Sequence, residues 1–220
     1  MPYEKGAALL GLIEQTVGRD TFDAYLKDYF KRHEFQSITT AQFLADIRAH
    51  LLTDKSVETK IRLEDWIFRT AIPDNAVQPK APQLTEAGEQ AAAFARGTGA
   101  SSLRTKDWST QEWLYFLQEM PSTLPADRLA LLDTAFGFSE RRNAEVLFEW
   151  LRMAIRHHYQ PAMPALERFL LSQGRRKFVR PLFEDLMKTD WGKAEAKRIY
   201  AAARPGYHAV TRQTLDGIVK

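Results

Sequence analysis

The sequence contains no cysteine. That absence excludes disulfides, iron–sulfur clusters, thiolate zinc sites and a cysteine nucleophile, and it fits a reducing cytoplasm. No run approaches the roughly 20 apolar residues that a membrane-spanning helix requires, so no membrane partner is expected. The start, from Met1 to Gly6, lacks the basic stretch and apolar core of a secretion signal. Charge of one sign is scarce as well. Thirty-one basic residues face 28 acidic ones, for a net charge of +3, and so small an excess does not point to nucleic acid. The common catalytic signatures are missing too: there is no Gly-rich phosphate loop, no G-x-S-x-G elbow and no H-E-x-x-H zinc helix. The single His-Glu pair is His33-Glu34, and Ser37 stands where a second zinc ligand would fall. His157 and His158 are neighbours, which a helix turns about 100° apart, so they are poorly placed to share a metal and read as structural or solvated. No metal or other cofactor is expected in this chain itself.

What is present is helical period. Phe22, Tyr25, Leu26, Tyr29 and Phe30 fall on one helix face. The preceding run carries Leu9, Leu10, Leu12, Ile13 and Val17 on most sides, the pattern of a deeply buried helix. Thr39 with Gln42, and Ser109 with Glu112, have the spacing of capping boxes. Phe43, Ile47 and Leu51 follow the first; Trp113, Phe116, Leu117 and Met120 follow the second. Between Ala71 and Pro82 the periodicity stops, with Pro73, Pro79 and Pro82 close together. Proline removes backbone donors and fixes φ, so residues 71–82 read as a connector between domains 1–70 and 83–220. Beyond it, helices are expected from Pro125, through Leu147, Trp150, Leu151, Ala154 and Ile155, and over Met163 to Leu170, Pro181 to Met187 and Lys193 to Ala203. Helices of this length with short links predict an all-α chain. Its second domain should stack antiparallel helices as an irregular α-solenoid of the armadillo or HEAT kind.

Five segments occur in an order that resembles a known family. They are Pro2-Tyr3-Glu4-Lys5-Gly6-Ala7-Ala8-Leu9-Leu10, Phe35-Gln36-Ser37-Ile38-Thr39-Thr40, the stretch from Trp66 to Pro73, Phe148-Glu149-Trp150-Leu151-Arg152, and the run from Gln173 to Phe183. Together they resemble the C-terminal portion of the zinc aminopeptidases that include leukotriene-A(4) hydrolase. The resemblance implies that residues 1–70 are the C-terminal helical lobe of a thermolysin-like peptidase domain. It implies that the zinc ligands, the general-base glutamate and the substrate-amine motif precede the segment equivalent to Met1. An N-terminal catalytic portion is therefore an expected partner, and the chain alone is expected to be inactive.

The same resemblance assigns roles to three residues. Tyr3 would donate its hydroxyl to the oxyanion of a tetrahedral intermediate. Arg175 and Lys177 would hold the C-terminal carboxylate of a short peptide substrate. Residues two apart on a helix point about 200° away from each other. Arg175 and Lys177 can therefore meet one ligand only at a turn or helix end, which Gly174 makes plausible. A solvated basic run including Arg176 and Arg180 is the plainer reading of that segment. A stand-alone helical-repeat module that binds a peptide or protein is the alternative function.

Overall fold

The computed structural model describes residues 2–77 and 80–220, and these fall into two compact units that divide between Lys80 and Ala81. Among the described residues every regular element is a helix. Pro79 lies outside them.

The first unit holds α1 (Pro2–Val17), α2 (Arg19–Arg32), α3 (Thr40–His50), α4 (Lys55–Ile61) and α5 (Leu63–Phe68). Gly18, at φ 87°, supplies the left-handed break between α1 and α2 that other residues adopt only under strain. Thr39 and Gln42 form the expected capping box, each side chain bonding the other's backbone amide, so α3 starts where its sequence says. Leu9 and Ile13 of α1 pack with Phe22 and Tyr25 of α2, Leu44 and Ile47 of α3, and Ile61, Leu63 and Trp66. Burial takes only one side of the first two helices. Leu10 and Phe30 are exposed, while Leu12, Val17, Leu26 and Tyr29 are half-buried, so α1 is not enclosed within this unit.

One carboxylate organises the centre of this unit. Asp46 accepts from the Tyr25 hydroxyl at 3.0 Å and from Arg32 at 2.8 and 2.9 Å, with His33 Nε2 3.0 Å away. The hydrogen bond from Arg32 holds Asp46 well below the usual carboxylate range, against the opposing effect of burial. The start of the proline-rich stretch is pinned here as well. Asp74 accepts from Arg62 at 2.6 Å, and Asn75 bridges the Trp66 indole to the Ile61 carbonyl.

The second unit contains α6 (Pro82–Ala95), α7 (Thr110–Gln118), α8 (Ala126–Phe136), α9 (Ala144–Arg156), α10 (Met163–Ser172), α11 (Arg176–Leu186), α12 (Asp190–Ala203) and α13 (Ala209–Asp216). Pro82 opens α6 at a position where a missing amide costs nothing. The Ser109–Glu112 box opens α7, and Gly137, left-handed at φ 60°, closes α8. Neighbouring elements stack in series: α6 on α7, α7 on α9, α9 on α11, and α11 on α12 and α13, with α10 against α12. That is the irregular solenoid the helical spacing predicts. At its middle Trp150, fully buried, stacks on Phe138 at 5.1 Å and donates its indole N–H to Ser139.

Two helix starts differ from expectation. Pro181 lies inside α11, which begins at Arg176, and α12 begins at Asp190. Proline cannot donate, so the Lys177 carbonyl lacks its helical partner. Burial of Phe178, Val179, Leu182 and Phe183 on one face carries the helix through regardless.

Candidate functional site

The three residues assigned by resemblance lie in different units, and each has a distinct local setting. Tyr3 sits in the first turn of α1, 89% exposed, and its hydroxyl has no hydrogen-bond partner among the described residues. Two residues on, Lys5 donates to the Arg69 carbonyl at the end of α5. Lys5 thus fixes the first turn while the phenol is left open to solvent.

Arg175 and Lys177 stand at the start of α11. The chain leaves α10 at Ser172 and is extended through Gln173 to Arg175, the N-cap, at φ −69° and ψ 119°. The turn is held from behind. The Thr211 hydroxyl donates to the Gly174 carbonyl at 3.2 Å, and the Tyr207 hydroxyl donates to the Leu170 carbonyl at 2.6 Å. Burial pushes the Tyr207 phenol well above its ordinary range, so it remains a donor. Gly174 does not adopt a positive φ, so the turn does not require glycine's backbone freedom.

Because Arg175 precedes the helix, the 200° divergence of two helical positions does not apply to the pair. Phe178 is buried against Phe148 and Phe169, with ring centres 5.3 and 5.8 Å away. The Arg175 guanidinium lies 5.6 Å from the Phe178 ring centre, and the Lys177 ammonium 5.0 Å. Both cations therefore end against one aromatic ring. No side chain caps α11, so amides of its first turn point outward beside them, a setting that favours an anion. Arg175 has no hydrogen bond or ion pair among the described residues. Lys177 donates to Glu145 Oε1 at 2.5 Å, a partly exposed pair that a stronger anion can displace.

A charged cluster missed in the sequence ties α11 to α9 towards their C-terminal ends, away from the basic pair. Asp185, 3% exposed, accepts from Arg152 at 3.0 Å, Arg156 at 3.3 Å and Lys188 at 2.6 Å. Burial alone would raise its carboxyl. Hydrogen bonds from Lys188 and Arg152, with the charge of Arg156, hold it below the ordinary carboxylate value. The only advance signal was an acidic residue on an otherwise apolar stripe of α11.

The described residues do not fit a zinc ion, since nowhere among them do three or more His, Cys, Asp or Glu side chains converge to hold a metal. His157 Nδ1 is 2.9 Å from the Met153 carbonyl, and His158 stacks on Trp191 at 4.1 Å. Each ring is engaged separately, as their adjacency predicts. No helix among the described residues is long and apolar enough to cross a membrane.

Comparison with known proteins agrees with this architecture. Residues 108–219, just over half of the chain, match the family model described as leukotriene A4 hydrolase, C-terminal. The chain belongs to that family. Residues 1–66 match the peptidase family M1 domain. Leukotriene A-4 hydrolase of Xenopus laevis is 27% identical over 223 residues, covering 96% of this chain and 36% of that protein. Leucine aminopeptidase 2-1 of Meyerozyma guilliermondii is 28% identical over 227 residues, covering 96% of this chain and 37% of its own length. The chain thus spans a little over a third of the curated relatives it matches. The solved structure of native leukotriene A4 hydrolase from Saccharomyces cerevisiae superimposes with a TM-score of 0.80 at 22% identity, covering 99% of this chain and 38% of that one. At that identity the match speaks for the fold.

Proposed function

We propose that this chain acts as the C-terminal portion of a cytoplasmic zinc aminopeptidase that removes N-terminal residues from short peptides. The zinc would be held outside this chain, which on its own would not catalyse. The observation that carries the reading is the pairing of Arg175 and Lys177 on the Phe178 ring at an uncapped helix start. A peptide's terminal carboxylate is small, planar and anionic. An arginine fork, an ammonium and outward amides match it in charge and geometry.

Tyr3 would have a separate role, in the chemical step. Its exposed hydroxyl, on a turn fixed by Lys5, would donate to the oxygen that gains charge as the peptide carbonyl becomes tetrahedral. One such donor in a water-excluding site contributes about 3 kcal/mol to lowering the barrier. Gripping a terminal carboxylate would make the basic pair favour free peptides over substrates that lack that group.

The test compares tripeptides with their C-terminal amides. Calorimetric titration of the 220-residue chain should show weaker binding of the amide, and Arg175→Ala should erase the difference. Equal binding of acid and amide by the unaltered chain would remove the clamp role. In an enzyme that includes the N-terminal catalytic portion, Arg175→Ala should depress tripeptide turnover far more than that of a simple aminoacyl amide. The purified chain alone should release no product from an aminoacyl chromogenic substrate.

A further inference from the structure

Between the start of α9 and the end of α10 lies a cleft of about 330 Å³. Three arginines line it, Arg141, Arg142 and Arg168, against a single acidic residue, Glu140. None of the three was singled out by sequence reasoning, and none belongs to the carboxylate clamp. We propose that this cleft is a recognition site for an acidic peptide segment, whose side-chain carboxylates the three arginines bind.

The arginines are held to different degrees. Arg141 is fixed: its Nε donates to the Phe136 carbonyl at 3.2 Å, and its guanidinium lies 4.9 Å from the Trp113 ring centre. The exposed Arg142 makes no hydrogen bond or ion pair among the described residues. Arg168 pairs with Glu140 at 2.8 Å, but both side chains are more than half exposed, so that pair is weak and exchangeable. Ala144, the first residue of α9, also lines the cleft, where the Asn143 side chain already accepts from the Glu145 and Val146 amides. The cleft thus has one anchored cation, one free cation and one that can be released from its partner.

The remaining walls decide which anion fits. Leu147, Ala165 and Phe169 make an apolar floor that suits the methylenes of a glutamate side chain. Gln173 contributes an amide, both donor and acceptor. A nucleic acid would want an open aromatic for stacking, and Phe169 is only 5% exposed. Phe169 also packs on Phe178, which carries Arg175 and Lys177. The cleft therefore adjoins the basic pair while depending on different groups.

Blocked peptides remove the terminal carboxylate that the clamp would grip, and Arg142→Ala, which leaves Arg175 and Lys177 in place, separates this site from the clamp. The 220-residue chain is titrated calorimetrically with acetyl-Glu-Leu-Glu-amide and with acetyl-Gln-Leu-Gln-amide. Saturable binding of the first is expected, weaker by about tenfold for the second, as the loss of charge-assisted hydrogen bonds predicts. Arg142→Ala should weaken the acidic peptide about tenfold, with Arg142→Lys retaining part of the affinity. Arg180→Ala, which removes a cation paired with Glu184 outside the cleft, should leave binding in place. Circular dichroism confirms that each variant is folded. Equal affinity for both peptides, no binding of either, or indifference to Arg142→Ala overturns the proposal. So does displacement by an oligothymidylate at lower concentration than by the acidic peptide, which would make the cleft a nucleic-acid site. Loss of clamp function in Arg175→Ala does not bear on these outcomes.

Discussion

Arg152 of α9 donates to the buried carboxylate of Asp185 on α11 at 3.0 Å, so these two helices are tied by charge as well as by their apolar faces. Arg156 and Lys188 complete the shell around the same carboxylate. Asp185→Asn would leave three cations facing a neutral amide. Because Arg156 and Lys188 are largely solvated, the loss should be about 2 kcal/mol, below the full cost of breaking a buried pair. Urea unfolding followed by far-ultraviolet circular dichroism measures it.

The same carboxylate gives a pH dependence. Its folded value is depressed, so its contribution is complete above the unfolded carboxylate value of about 4 and fades as pH falls below that, through the folded value. The wild type should therefore lose stability on acidification below about pH 4 more steeply than Asp185→Asn. Parallel pH profiles of the two proteins would contradict this.

Tyr200 donates to Asp216 at 2.7 Å, and Arg204 grips the same carboxylate through two bonds of 2.8 Å. Burial, followed by the hydrogen bond to Asp216, pushes the Tyr200 phenol up to about 12. A raised folded value means this group stabilises fully below the unfolded value of about 10 and ceases to do so as pH rises through the folded one. Tyr200→Phe should cost about 2 kcal/mol at neutral pH, as expected for a hydrogen bond to a charged group. It should also remove one tyrosine from the slowest-rising part of the alkaline absorbance titration.

Gly192 occupies the third position of α12, where its amide donates to the Thr189 hydroxyl at 3.2 Å. A Cβ there would stand 2.2 Å from the Leu186 carbonyl oxygen, a backbone atom that cannot swing aside. Gly192→Ala should destabilise the second unit by about 2 to 3 kcal/mol, despite alanine's higher helix propensity. A stabilised variant in thermal unfolding would show that the α11–α12 corner has slack.

Ser109→Ala removes one half of the capping box that opens α7. The expected loss is about 1 kcal/mol, visible as a lower urea midpoint with unchanged slope.

Helix starts marked by side-chain caps were legible in the sequence, as Thr39 and Ser109 show, because the cap is a local bond between residues three apart. Tertiary burial was less so. Phe30 shares a helix face with Phe22 and Tyr25 by spacing, yet it is 68% exposed: eight residues on it has turned about 80° from Phe22, and at this end of α2 it is Tyr29 that meets Phe43 of α3. Pro181 read as a helix start, since proline usually punctuates. The unit's apolar interior overrode that preference and let α11 begin five residues earlier, at Arg176. That shift takes Lys177 into the first turn of α11 and brings the helix start up to Arg175, with both cations against the Phe178 ring. The arginine cleft was not legible at all. Arg141, Arg142 and Arg168 come from a loop and a separate helix, and only the folded chain brings them to one cleft. Leu147 was expected on a buried stripe and is half-buried, because it floors that cleft.

The serial stacking of α6 on α7, α7 on α9 and α9 on α11 has a kinetic consequence. Each helix meets partners that lie close to it along the chain, so the loops closed during assembly are short and their entropic cost is small. Such an array grows like a zipper from whichever pair forms first. Losses at its C-terminal end should fray α13 and α12 while the Trp150 centre keeps its order.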